Sequence, residues 1–255
     1  MNRVGMFCLL VLVSASVLQA HEPAPRIPAA AVTADMVAKA TAWLETLDDQ
    51  QREAASFAFD SDERLNWHFI PRERLGLPIK QMSLAQRRAA YALLRSGLSH
   101  AGYLKATTIM SLEGILRELE KDRPGNEERR DPEKYWLSVF GTPSTTEPWG
   151  WRFEGHHLSL NFSSVAGLTV ATTPLFLGAN PAEVRTGPHA GQRVLAAEED
   201  LARELMLSLA EADRKIALLA AEAPEEVFTV PGKPIDLGEP AGLAFAAMPP
   251  PQQQQ

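Results

Sequence analysis

The run WGWRFEGHHLSLNF, residues 149–162, holds the residue types best suited to chemistry in this sequence. Its alternation of aromatic and polar side chains predicts one long strand, on which Glu154 and His156 share a face about 6.6 Å apart. A carboxylate beside an imidazole raises its basicity and fixes its tautomer. The pair therefore suits general-base catalysis, with His156 as the base and Glu154 as its orienting group. The same pair is equally typical of a surface salt bridge or of a half-buried structural histidine.

Strand alternation also places His157 on the opposite face from His156, together with Asn161. The two histidines could share one metal ion only if Gly155 formed a β-bulge that re-aims one of them. We take His157 as a third catalytic candidate. Arg152 and Asn161 are candidate binding residues on the same strand.

A second cluster of candidate residues lies earlier in the chain, in NWHFIPRER, residues 66–74. Arg72 and Arg74 beside His68 could clamp a carboxylate or a phosphate, and Lys105, near the start of a predicted helix, could join such a pocket. We take His68, Arg72 and Lys105 as candidate binding residues. An exposed basic loop and a solvent-facing lysine are the alternative interpretation.

Several established signatures are missing from the sequence, namely G-x-S-x-G, H-E-x-x-H, the P-loop and the dinucleotide-binding G-x-G-x-x-G. The chain has six histidines and one cysteine. With no spaced His/Asp set, we name no metal ligand and leave the cofactor open.

The N-terminus is typical of an export signal. Arg3 precedes an apolar run of 13 residues from Met6 to Leu18, and Ala20 offers a small residue for cleavage. The run is too short to span a bilayer, so we expect no stable membrane insertion after cleavage. Removal of residues 1–20 would also remove Cys8 and leave a cysteine-free chain in the periplasm or outside the cell.

The predicted helices and strands that must position these residues indicate an α+β protein, with helices packed on a small antiparallel sheet. The helices are expected at 33–58, 83–120 and 198–222, and the sheet contains 149–162 and 168–173. A capping box at Ser83 and Gln86 marks the start of the second helical region. We also expect a short helix from Pro132 through Tyr135 and Trp136, an extended segment over 65–70, and a charged loop over 121–131.

The domain boundaries follow from composition. Residues 21–32 are rich in proline and alanine and predict a flexible lead-in, residues 33–242 form one domain, and 243–255 are a low-complexity tail. With 45% hydrophobic and 22% charged residues, the 255-residue chain is typical of a folded protein. Its net charge of −7 argues against a nucleic-acid partner. The expected partner is a small-molecule ligand, and the oligomeric state stays open.

Five segments together make the chain resemble the DUF3500 family of bacterial proteins of unknown function. They are ERLNWHFIPRERLGLPIKQM, GYLKATTIMSLEGIL, YWLSVFGTPS, WGWRFEGHHLSLNF and TPLFLGANPAEV. The resemblance covers about residues 35–242 and implies an exported protein without an assigned activity. It also implies a further C-terminal part with an acidic-aromatic strand and a second paired-histidine segment, so the chain is expected to be a shortened member.

Two functions remain open from the sequence. The first is an exported hydrolase-type enzyme with its His/Glu site on 149–162, which requires the candidate side chains to meet in one cleft. The second is a non-catalytic exported binding or accessory protein. That second interpretation requires a fully hydrogen-bonded histidine pair with no pocket beside it.

Overall fold

The computed structural model describes residues 28–167, 169–233, 235 and 238–254. The predicted export signal lies outside them. The described residues form an α+β structure of helices and one seven-stranded mixed sheet, which confirms the predicted fold class. The α-helices are α1 (Ala29–Glu45), α2 (Asp49–Ala55), α3 (Leu84–Ser96), α4 (His100–Leu119), α5 (Asn126–Arg129), α6 (Ala196–Ser208), α7 (Glu211–Ala217) and α8 (Pro250–Gln253). The strands are β1 (Ser56–Phe57), β2 (Leu77–Pro78), β3 (Tyr135–Phe140), β4 (Trp149–Gly155), β5 (Leu158–Val165), β6 (Thr169–Ala171) and β7 (Leu175–Leu177).

The sheet is built on the order β1-β3-β4-β5-β6, with β2 also pairing with β3 and β7 with β5. All pairs are antiparallel except β1 with β3, so the sheet is mixed rather than purely antiparallel. In β4, Trp149, Trp151 and Phe153 belong to the hydrophobic core, which also contains residues of α1, α3 and α4. The aromatic face of β4 is therefore core.

The opposite face of β4 carries Arg152 and Glu154, which are also fully buried. They contact residues 62–74, which we call the covering segment. This segment contains a 3₁₀ helix, Asp62–Leu65, and no strand forms over 65–70 where we expected an extended stretch. The sheet is thus covered on both faces, by helices on one side and by an irregular segment on the other.

The helical predictions are largely confirmed in position and wrong in their boundaries. The capping box of Ser83 and Gln86 is present at the start of α3. The region 83–120 is two helices, because α3 ends before Gly97, where a Cβ atom would lie 2.8 Å from the rings of Trp151 and Phe162. Similarly, 33–58 contains α1 and α2 and then the strand β1, which corrects the helix predicted there. The region 198–222 contains α6 and α7, and its last five residues are not helical. α1 begins at Ala29, inside the expected lead-in.

The short helix predicted from Pro132 is wrong, because Tyr135–Phe140 is the strand β3. β3 pairs with β1, β2 and β4, and all six of its residues are buried. A strand with both faces buried shows no alternation, so its apolar spacing is easily mistaken for that of a helix. This correction matters because β3 supplies Tyr135 to the candidate site.

The C-terminal region carries few buried side chains. α6 and α7 have no buried residue, and the expected low-complexity tail contains a 3₁₀ turn at Phe245–Ala247 and the short helix α8. Among the helices of the described ranges, none combines the length and the apolar character that crossing a membrane requires.

Candidate active site

The predicted single strand over 149–162 is a β-hairpin, so the strand prediction is wrong at its centre. β4 ends at Gly155, β5 begins at Leu158, and His156 and His157 form the turn between them. His157, the second residue of the turn, has a positive φ of 56°, as the second central residue of a type II turn requires. The turn interrupts the alternation, so Leu158, Leu160 and Phe162 share the core face with Trp149.

Two backbone hydrogen bonds hold the turn in place. The His157 N–H donates to the Phe69 carbonyl at 2.7 Å, and the Gly178 N–H donates to the His157 carbonyl at 2.8 Å. The buried Tyr135 hydroxyl donates to the His156 carbonyl at 2.9 Å. Tyr135 also lies against Gly155, where a Cβ atom would be 2.3 Å from its ring. The position of the two histidines is therefore set by the sheet, by the covering segment at Phe69 and by the loop at Gly178.

His156 contacts the carboxylate of Glu113, which lies on α4. Its Nδ1 atom meets Oε1 of Glu113, and the two side chains are 10% and 3% exposed. We assign the proton to Nδ1, because the carboxylate oxygen accepts hydrogen bonds and lies closer to Nδ1 than the donor-only guanidinium of Arg130 does. Nε2 has no hydrogen-bond partner within the described ranges. The imidazole is therefore oriented with Nε2 as its free acceptor.

Arg130 completes the cluster around His156. Its Nη1 atom lies 3.2 Å from Nδ1 of His156 and 3.8 Å from Glu113. Its Nη2 atom donates to Glu120 at 2.8 Å, and this hydrogen bond holds the pKa of Glu120 below its usual value. Arg130 is itself buried. The buried negative charge of Glu113 is therefore balanced by a cation that a second carboxylate fixes.

A cleft of about 350 Å³ opens beside this cluster. Glu113, Tyr135 and His156 belong to its lining, together with residues 71–74 of the covering segment and residues from 125 to 136. A volume of this size suits a small molecule. His156 is therefore a buried and oriented imidazole that lies next to this cleft and keeps one nitrogen without a partner. This is the arrangement of a general base.

Glu154 is not the partner of His156 that the sequence analysis expected. It forms ion pairs with Arg152 at 2.8 Å and with Arg74 at 3.5 Å, and it accepts the backbone N–H of His68 at 3.0 Å. Arg152 also pairs with Glu63. These four side chains form a buried network of two anions and two cations that joins the covering segment to the sheet. We call it the inner ion network.

The remaining candidates lie in different places. His157 is next to His156, with ring centroids 4.2 Å apart, but it does not line the cleft. Burial, with smaller contributions from His156 and Arg130, lowers its pKa to about 4. Its buried Nδ1 atom lacks a hydrogen-bond partner in the described residues. His157 is therefore neutral near pH 7.

Of the candidate binding residues, only Arg72 lines the cleft with His156. His68 accepts the N–H groups of Phe69 and Ile70 through its Nδ1 atom. Lys105 pairs with Glu198, and Asn161 donates to Ser159 and to the Pro174 carbonyl.

Sequence reasoning missed Glu113 and Arg130. One signal for Glu113 was present, since it occupies the buried face of α4 with Ile109, Leu112 and Leu116. A carboxylate in such a stripe needs a partner. No comparable signal marks Arg130, which lies in a charged loop in the sequence.

The described residues contain no group of three or more His, Cys, Asp or Glu side chains arranged to hold a metal ion.

Comparison with known proteins gave one finding. The family model described as "Protein of unknown function (DUF3500)" matches residues 29–255. Neither the curated proteins nor the solved structures gave a match. The family match covers all the helices and strands described above and agrees with the resemblance of the five sequence segments. The chain therefore belongs to the DUF3500 family of proteins of unknown function.

Proposed function

We propose that this protein is an exported enzyme of the hydrolase type, in which His156 is the general base and Glu113 its orienting carboxylate. The observation that carries the proposal is the contact of Glu113 with Nδ1 of His156 at the edge of the cleft. It leaves Nε2 free to take a proton from a water molecule as that water attacks an electrophilic carbon or phosphorus. The imidazolium then returns this proton to the leaving oxygen as its bond to that carbon or phosphorus breaks. Proton transfer by a positioned base contributes about 10²- to 10⁴-fold to a rate.

Glu113 has two roles in this mechanism. It holds the tautomer in which Nε2 is unprotonated, and its negative charge stabilises the imidazolium that forms when Nε2 takes the proton. The cleft lining also supplies two cationic groups, Arg72 and Arg129, that can position a substrate beside His156. Glu154 and His157 take no part in the proposed reaction.

The alternative, a non-catalytic exported binding protein, required a fully hydrogen-bonded histidine pair with no pocket beside it. His156 and His157 each retain a ring nitrogen without a hydrogen bond in the described residues. A cleft also adjoins His156. Both observations favour the enzyme. The cleft that the enzyme requires contains only His156 and Arg72 of the sequence candidates, and Glu113 and Arg129 complete it from outside that set.

Export rests on the sequence pattern of residues 1–20. We expect N-terminal sequencing of the protein recovered from the periplasm or the medium to begin at His21. Recovery of a chain that begins at Met1 in the cytoplasm would contradict export.

The enzymatic proposal is tested with the purified protein and a panel of chromogenic carboxylic, phosphate and sulfate esters. His156→Gln should lower the rate by about 10²- to 10⁴-fold, and Glu113→Gln should lower it as well. His189→Gln is the matched control, since His189 is exposed and lies outside the cleft, and it should leave the rate unchanged. Equal rates in His156→Gln and wild type would contradict the role of His156 as the base. No turnover of any ester would contradict the enzyme and favour the binding protein.

A further inference from the structure

The charged side chains of the cleft are not all paired. Its acidic residues each contact a cation, since Glu113 meets Arg130, Asp131 meets Lys80, and Glu73 and Glu128 meet Lys134. Arg74, a basic residue of the lining, is an inner-network partner of Glu154. The charges that remain without a partner are therefore positive.

Arg72 is the first of these cations. Its Nη2 atom donates to the backbone carbonyl and to the side-chain oxygen of Asn66, both at 2.8 Å. These two bonds fix the guanidinium and use a single nitrogen. The buried Nε atom has no hydrogen-bond partner, and within the described ranges Nη1 has none either. No carboxylate of those ranges lies within 4 Å of the side chain. Arg72 is thus an oriented arginine with donors to spare.

Arg129 is the second. It is exposed at the end of α5, it lines the same cleft, and its side chain makes no hydrogen bond or ion pair with the described part of the chain. Two guanidinium groups without carboxylate partners on one small cleft are an anion-binding arrangement, because their planar donors match carboxylate and phosphate oxygens.

The environment of His68 agrees with a positive field near Arg72. Burial lowers the pKa of His68 most, and the charges of Arg72 and Arg74 lower it further, against a smaller opposing effect of Glu226. The cations in this part of the covering segment thus outweigh the nearby anion in their effect on a neighbouring imidazole.

We propose that the molecule bound in this cleft carries an oxyanion, a carboxylate or a phosphate, which Arg72 and Arg129 bind beside His156. As a statement about the substrate, this inference rests on the proposed function. His156, oriented by Glu113, would then activate a water molecule that attacks a bond near that anionic group. A neutral analogue of the substrate that lacks the oxyanion should therefore bind more weakly.

The test is titration calorimetry of the full chain with inorganic phosphate and, separately, with benzoate, each against sodium chloride of matched ionic strength. We expect saturable binding of at least one anion with one site per chain. Loss of charge-assisted hydrogen bonds in Arg72→Gln or Arg129→Gln should weaken binding about 10- to 100-fold. Preference for phosphate would indicate a phosphate ester as substrate, and preference for benzoate a carboxylate.

The matched control is Arg88→Gln, since Arg88 is an exposed arginine on α3 outside the cleft, and it should bind as wild type does. If Arg72→Gln fails to fold, the exposed Arg129 carries the test alone. His156→Gln should keep the anion while losing turnover, so the two proposals can fail separately. Absence of saturable binding of both anions, or equal affinity in Arg129→Gln and Arg88→Gln, would overturn the inference.

Discussion

Glu113 and His156 meet side chain to side chain, although 43 residues separate them in the sequence. Glu113 lies on the buried face of α4 and His156 in the turn between β4 and β5. The contact therefore exists only once helix and sheet have packed. It joins the helical layer to the end of the sheet beside the cleft, and it fixes which ring nitrogen of His156 is free.

The inner ion network predicts that Glu154→Gln is strongly destabilising. The substitution keeps the shape of the side chain and removes a charge that is shared by Arg152 and Arg74, which are buried with it. Removing one partner from a buried ion pair costs about 3–5 kcal/mol. The free energy of unfolding, from urea denaturation near pH 7, should fall by an amount in that range.

Glu147→Gln is the control for this experiment, because Glu147 is exposed in the connection before β4. Its free energy of unfolding should stay within about 0.5 kcal/mol of wild type. If both variants were equally stable, the network would not hold the covering segment on the sheet.

The lowered pKa of His157 predicts a pH dependence of stability with a defined sign. The folded-state value of about 4 is below the ordinary value of 6.5. As the pH falls below 6.5, His157 binds a proton in the unfolded chain but not in the folded chain. His157 therefore lowers the free energy of unfolding progressively from about pH 6.5 to about pH 4. His157→Asn, which removes this group, should lose less stability between about pH 7 and pH 5.

Asparagine is the suitable replacement because it tolerates the left-handed backbone of His157. His189→Asn, at an exposed loop position, should keep the wild-type pH dependence. The same loss of stability on acidification in His157→Asn and in wild type would show that His157 is not shielded from protons in the folded state.

The sequence was sufficient for the fold class and for the helices that carry their own signals. The Ser83–Gln86 capping box and the apolar periodicity of α4 are local features, so they predict local structure correctly. β3 carries no such signal, because burial of both faces removes the alternation that distinguishes a strand.

The candidate site was only partly predictable for the same physical reason. His156 stood out by residue type, but its partner was inferred from an unbroken strand. The turn at His156 and His157 lacks the Asn-Gly or Asp-Gly pair that normally announces a two-residue hairpin. Once the turn interrupts the alternation, Glu154 belongs to the inner ion network and Glu113 supplies the carboxylate. Such long-range contacts depend on packing, which spacing along the chain does not encode.

The most direct test of the account is the tautomer of His156, measured by ¹⁵N–¹H correlation spectra that detect both ring nitrogens, with His156→Gln used to assign the signals. At a pH where the imidazole is neutral, we expect a protonated Nδ1 and an unprotonated Nε2 in wild type, and a loss of this preference in Glu113→Gln. A wild-type spectrum with the proton on Nε2, or one that Glu113→Gln leaves unchanged, would contradict the claim that Glu113 prepares His156 as a base.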